Sequence, residues 1–176
     1  MLKMLHDHAE NLIIVNNFLP EITFKNLQEY FFDYFTEEDR NPKWYSLDQT
    51  HDRRDLCLHL LNFASNHFDL SNCAGYEFWC HHNTRPDHKI GSGWHHDKDE
   101  LHYNQTGEFK FPICSIIYYV NVQYLIGGCL HVEDIKISPQ NNRLVLIPTG
   151  KEHCVDEFDG KRTSMIINPW DKTVLE

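Results

Sequence analysis

The chain has 176 residues, of which 41% are apolar and 13% aromatic, enough to bury a sizeable core and too apolar for a disordered segment. Its 26 acidic residues outweigh 16 basic ones, and the formal charge of −10 argues against a nucleic-acid-binding face, leaving room only for a local basic patch. No stretch nears the roughly 18 apolar residues of a membrane span. Residues Met1 to Asp7 lack the apolar run of a signal peptide, and the six cysteines contain no C-x-x-C pair, so the sequence reads as a reduced, cytoplasmic, soluble protein.

Leu12-Ile13-Ile14-Val15 predicts a first strand, and Asn16 to Pro20 turn the chain, with Pro20 suited to the first turn of a helix. Phe24, Leu27, Phe31 and Phe35 recur at three- and four-residue steps and predict an amphipathic helix, ended by the polar stretch from Thr36 to Pro42. A second helix is expected from about Asp52 to Phe68, with Leu56, Leu60, Leu61, Ala64 and Phe68 on one face. Past Asn72 the pattern changes to strands. Candidates are Tyr76–His82, Lys89–Trp94, Ile113–Val122, Gly128–Glu133, Arg143–Ile147, His153–Phe158 and Thr163–Asn168, separated by Gly, Pro and Asn clusters. Two helices followed by such strands predict a mainly β (α+β) fold, with the helices packed on one sheet of a two-sheet jelly roll, in one domain over residues 1–176.

Three residues stand in a metal-binding order. His95 and Asp97 form a His-x-Asp pair at the end of an expected strand, and His153 follows the turn Pro148 to Glu152 far downstream. Two imidazoles and one carboxylate on one side of an iron ion leave the opposite positions open for a bidentate ligand and oxygen. The blander assignment is a polar turn for His95 and Asp97 and a surface histidine for His153. A competing set joins His131 and Glu133, alternate residues of one strand, to His153; the surrounding residues read instead as an ordinary strand after the Gly127-Gly128 turn. His96 is expected to point away from Asp97, and His6, His8, His81 and His82 to face solvent or to stand behind the ligands. Arg162 and Ser164 lie two apart on a strand and share a face, after the turn Asp159-Gly160-Lys161. An arginine fork with a hydroxyl suits bidentate recognition of a carboxylate, and a solvated hairpin charge is the alternative.

In that order these residues resemble the 2-oxoglutarate/Fe(II)-dependent dioxygenase superfamily, and within it the prolyl 4-hydroxylase-like branch. The stretches that carry the resemblance are Gly93 to Asp97, Cys114 to Asn121, Gly127 to Leu130, Arg143 to Pro148, His153 and Arg162 to Ser164, with Asn16 to Pro20 more loosely similar. The resemblance implies a double-stranded β-helix (cupin-like) core, Fe(II) held by His95, Asp97 and His153, and 2-oxoglutarate as cosubstrate. The far carboxylate of the cosubstrate is then held by Arg162 with Ser164 and Tyr119. Tyr118 and Tyr119 face opposite sides of their strand, and the family pattern selects Tyr119, with Asn121 expected on the same face. It further implies O2 as oxidant, ascorbate as accessory reductant, and hydroxylation of a C–H bond with succinate and CO2 as coproducts. The substrate class it favours is a prolyl residue in a peptide or protein, with a free amino acid or other small molecule as runner-up. Lys98 to Lys110 is expected as a substrate lid. The chain departs from the branch between Tyr76 and Ile90, where no Tyr-x-x-Gly run occurs. Three other readings stay open: a non-catalytic cupin-like metal module, oxidative demethylation of nucleic acid, and an interaction domain with a degenerate iron site.

Overall fold

The computed structural model describes residues 3–6, 12–34, 37–83 and 91–172, with the backbone alone described for 3–6, 31–34, 37–38 and 83. The expectations placed on Phe35, Thr36, His8, Lys89 and Ile90, and on the side chains of His6 and Phe31, fall outside the described residues.

In chain order the elements are β1 (Lys3–His6), β2 (Ile13–Asn16), α1 (Glu21–Tyr34), a 3-10 turn (Glu37–Arg40), β3 (Lys43–Ser46), α2 (Arg54–Ala64), β4 (Gly75–Asn83), β5 (Ser92–His95), α3 (Glu100–Thr106), β6 (Cys114–Gly127), β7 (Leu130–Val132), β8 (Ile135–Ile137), β9 (Arg143–Pro148), β10 (His153–Val155) and β11 (Phe158–Trp170). A seven-stranded sheet runs β1-β2-β9-β6-β11-β4-β3, and a four-stranded sheet runs β5-β10-β7-β8. Every pairing is antiparallel.

Alternation along the central strands gives the large sheet two apolar faces. On one, Ile116, Tyr118, Val120, Leu144, Leu146, Met165 and Ile167 meet Phe24 of α1 and Cys57, Leu60, Leu61 and Ala64 of α2. Each fully buried Leu or Ile here contributes on the order of 1.5–3 kcal/mol. The expected apolar face of α2 is the one that packs, although the helix itself stops at Ala64. On the other face, Ile117, Tyr119, Val145, Ile147 and Ile166 meet Leu130, Val132 and Ile137 of the small sheet. The predicted architecture, helices on one sheet of a jelly roll, is the one observed.

Several boundaries differ for local reasons. The triplet Asp159-Gly160-Lys161, expected as a turn, lies inside β11 at a register shift against β6. Gly160 has φ 109°, and a Cβ there would sit 2.3 Å from the Tyr124 carbonyl oxygen, so the backbones meet only because the residue is glycine. β6 accordingly runs on to Gly127, five residues past its predicted end, and β11 begins at Phe158. β3 was not expected because its four residues, Lys-Trp-Tyr-Ser, form an edge strand in a polar stretch. The expected lid holds α3, capped by Asp99, whose carboxylate accepts from the His102 N–H, and closed by Gly107 at φ 75°.

Candidate metal and anion site

The pairing of β10 with β5 sets His153 directly opposite His95. Their rings are 4.4 Å apart between centroids, and Asp97 lies two residues beyond β5 on the way to the Asp99 cap. His95 Nε2 is 3.9 Å, and His153 Nε2 3.7 Å, from the same Asp97 oxygen, Oδ1. All three ligand atoms lie within 4.8 Å of one another, and no other group of this kind occurs among the described residues.

Each donor is held from behind. His95 Nδ1 lies 2.7 Å from the Gly93 carbonyl oxygen and His153 Nδ1 lies 3.2 Å from that of Lys151. A carbonyl only accepts, so each Nδ1 carries the hydrogen and each Nε2 turns a lone pair toward Asp97. Ser115, the second residue of β6, donates its hydroxyl to Asp97 Oδ2 at 2.6 Å, leaving Oδ1 for the centre. Burial keeps the His153 imidazole below its ordinary range, against the pull of the Asp97 charge, and so keeps it neutral. Two imidazole nitrogens and a carboxylate oxygen converge on one point, an arrangement that could hold a metal cation. The donor set, two imidazoles and one carboxylate on one side, fits a divalent transition metal with open positions opposite.

A cavity of ≈ 350 Å³ opens beside the triad. Its polar wall comes from Arg40, His81, Ser92, Arg162 and Ser164, and its apolar wall from Trp79, Ile117, Leu130 and Ile166 among others. Arg162 is 3% exposed, and no carboxylate among the described residues pairs with it. The rings of Tyr119 and Phe158 flank its guanidinium at 5.2 and 5.6 Å. Arg162 Nε, Ser164 Oγ and Tyr119 Oη are all buried without a hydrogen-bond partner. Ser164 and Tyr119 are cross-strand partners and so share a face. A buried cation beside two idle hydroxyls is a candidate anion site, because such groups call for something that completes them.

Tyr118, by contrast, donates to Asn142 Oδ1 at 2.8 Å on the other face. Asn121 requires a correction. A register shift between Thr163 and Ser164 sets Asn121 opposite Thr163, not on the row of Tyr119 and Ser164. The bulge inserts one residue and turns Asn121 to the other face. The competing ligand set is dispersed: His131 Nε2 contacts Asp156 Oδ1 at 2.8 Å, and Glu133 is held by Lys151 Nζ at 2.9 Å. His96 packs against Phe109 and Phe111, away from Asp97, as alternation predicts. His82 bonds Thr163 Oγ1 at 2.8 Å.

Ser115 was not singled out from the sequence as part of the site, and His81 was expected to face solvent or to stand behind the ligands; with Trp79 it lines the cavity. There the surrounding protein and then the Arg162 charge push the His81 imidazole down to about 4. Alternation from Trp79 to His81 on β4, and β11 as the neighbouring strand, are the signals that point to them, and only the second needs the fold.

No family model matches the sequence, and no curated protein is similar enough to match it. Solved structures do match in fold. A prolyl-4-hydroxylase from Pseudomonas putida superimposes with a TM-score of 0.65 at 16% identity, over 94% of this chain and 90% of that one. A Trichoplax adhaerens prolyl hydroxylase, solved with a hypoxia inducible factor peptide fragment, gives 0.58 at 14% identity, over 93% and 84%. NgTET1, solved with 5mC DNA, gives 0.60 at 14% identity, over 96% and 76%. The chain therefore has the double-stranded β-helix fold that prolyl hydroxylases share with other oxygenases.

Proposed function

We propose that the chain is an Fe(II)- and 2-oxoglutarate-dependent dioxygenase that hydroxylates a prolyl residue in a peptide or protein, releasing succinate and CO2. Residues 1–176 then act as one oxygenase domain. The observation that carries this reading is the row of unpartnered buried groups, Arg162, Ser164 and Tyr119, beside a three-donor metal centre. A metal module alone needs no buried arginine, whereas a dicarboxylate cosubstrate needs a cation at the distance of its far end.

His95, Asp97 and His153 would hold the iron, with Ser115 bonded to the Asp97 oxygen Oδ2. Arg162, Ser164 and Tyr119 would receive the far carboxylate and so orient the keto acid. Ile117, Leu130 and Ile166 supply apolar wall to the same cavity. When bound, iron with 2-oxoglutarate and O2 supplies the oxidising power, with ascorbate as accessory reductant. The prolyl peptide is supported by the fold shared with the two prolyl hydroxylases, one of them peptide-bound.

The test is aerobic incubation of the protein with Fe(II), 2-oxoglutarate, ascorbate and a panel of prolyl peptides. The expected result is a peptide heavier by one oxygen atom, formed in equal amount with succinate. Succinate formed with free amino acids alone would move the assignment to the small-molecule alternative, and none in any mixture would end it.

A further inference from the structure

We infer that His96 is a positioning residue that couples occupancy of the metal centre to the order of the segment 99–111; this rests on the metal centre of the oxygenase reading above. The segment holds α3 and supplies part of the wall of a second cavity, ≈ 470 Å³, that also meets His95 and Asp97. Lys98, Asp99, Glu100 and Leu101 line it on that side. Arg162 and Ser164 line the first cavity and not this one, which leaves this one for the substrate in the reading above.

The segment is closed on itself. The Asp99 N–H donates to the Lys110 carbonyl oxygen at 2.9 Å, and Lys110 Nζ lies 3.6 Å from the Asp99 carboxylate, so a stem joins its ends. Helix α3, between them, buries no residue. Beyond the stem, Lys110 Nζ lies over the Trp170 ring at 5.9 Å, and a cluster of four rings ties the segment to the metal loop. Phe109 and Phe111 stack at 5.4 Å, and Tyr103 lies 4.8 Å from Phe109. The His96 ring meets Phe109 edge-on at 5.7 Å and Phe111 at 5.6 Å. Phe111 also covers Gly150, in the turn before His153, where an added Cβ would meet its ring at 3.4 Å. None of the four rings belongs to either core cluster of the large sheet.

His96 stands between two ligands, His95 and Asp97, and its ring leaves the backbone on the opposite side. Its Nδ1 is buried without a hydrogen-bond partner, so ring contacts and not a polar bond at that atom set its place. A cation bound by both neighbours fixes the backbone on either side of His96, and with it the ring on which Phe109 and Phe111 pack. Freedom already removed by the metal need not be removed again when the segment orders, which couples the two without a change of shape. By linkage the ordered segment strengthens metal binding by the same factor. Ring pairs of this geometry contribute a factor of roughly 2 to 10 each, so a coupling of about fivefold is expected.

Backbone hydrogen exchange, followed by mass spectrometry on peptides covering 100–111, tests this in metal-free protein and with saturating Mn(II). Mn(II) is expected to slow exchange in those peptides about fivefold, with α2 (Arg54–Ala64) unchanged as the internal reference. In His96→Ala and in Phe109→Ala the slowing should be lost, and Mn(II) should bind about fivefold more weakly in equilibrium dialysis. His96→Phe keeps a ring in that place and should restore both. Phe109 stands outside the metal loop, so its variant gives the answer if His96→Ala does not fold. Three results overturn the coupling: no slowing in the wild-type protein, equal slowing in both alanine variants, or a loss in His96→Phe as complete as in His96→Ala. Slowing that needs His96, in protein giving no visible band of the iron–keto acid complex, would sink the oxygenase reading and leave the coupling standing.

Discussion

Two adjacent tyrosines of the large sheet, one on each face, stand in opposite polar surroundings. Under the helices, Tyr118 reaches Asn142, and Asn142 also accepts from the Leu19 N–H and donates to the Leu19 carbonyl, so a buried polar cluster closes on itself. Between the sheets, the adjacent residue Tyr119 has an idle hydroxyl, near an arginine and a serine that are idle too. Both environments are equally buried. The difference shows that the Tyr118 cluster is completed by folding, whereas the Tyr119 row is left open to a ligand.

Removing a metal donor breaks the second face most completely. Asp97→Ala or His153→Ala is expected to abolish turnover and the iron–keto acid band together, with the fold kept; normal succinate production by either variant would remove the ligand assignment. Arg162→Ala should leave iron binding intact and raise the 2-oxoglutarate requirement by roughly 10–100-fold, the worth of a charged hydrogen-bonded pair. A titration with unchanged half-saturation would show that the arginine has another task. Ser115→Ala loses only the bond to Asp97 Oδ2, and a loss of about tenfold in Fe(II) affinity is expected, at the lower end for outer-shell partners. Equilibrium dialysis against Fe(II) or Mn(II) measures it.

The smallest effects sharpen the comparison itself. Tyr118→Phe should cost about 1 kcal/mol in urea unfolding and leave the 2-oxoglutarate requirement unchanged, because it opens a completed bond. Tyr119→Phe should leave the unfolding midpoint unchanged or slightly raised and weaken 2-oxoglutarate binding several-fold. The reverse pattern would show that the two faces were assigned the wrong way round.

What the sequence disclosed follows from the range over which each signal acts. The pair His95 and Asp97 sits within one turn of chain, and Arg162 and Ser164 share a face by simple alternation, so both were legible. Alternation only separates Tyr118 from Tyr119, and the choice of Tyr119 came from the resemblance. Asn121 was not legible, because a single bulge reverses the alternation, and nothing in Tyr119-Val120-Asn121 announces it. Ser115 and His81 enter the site only when β6 and β4 come to lie near the metal loop, a property of the sheet order. The helices and most strands were readable from periodicity, while β1, β3 and β8, at three or four residues each, carry too few alternations to register. Helix α3 has no buried residue, so it offers no periodic face, and its signature lies in Asp99 and Gly107 instead.

The central claim is that the idle row between the sheets receives 2-oxoglutarate against iron held by His95, Asp97 and His153. Anaerobic visible absorption of the purified protein, with Fe(II) added first and 2-oxoglutarate second, tests it most directly. A weak charge-transfer band that appears only with both, and fades at limiting 2-oxoglutarate in the Arg162→Ala variant, is the predicted result. A folded protein that binds the metal yet gives no band at saturating 2-oxoglutarate would contradict the account and leave a metal-binding module in its place.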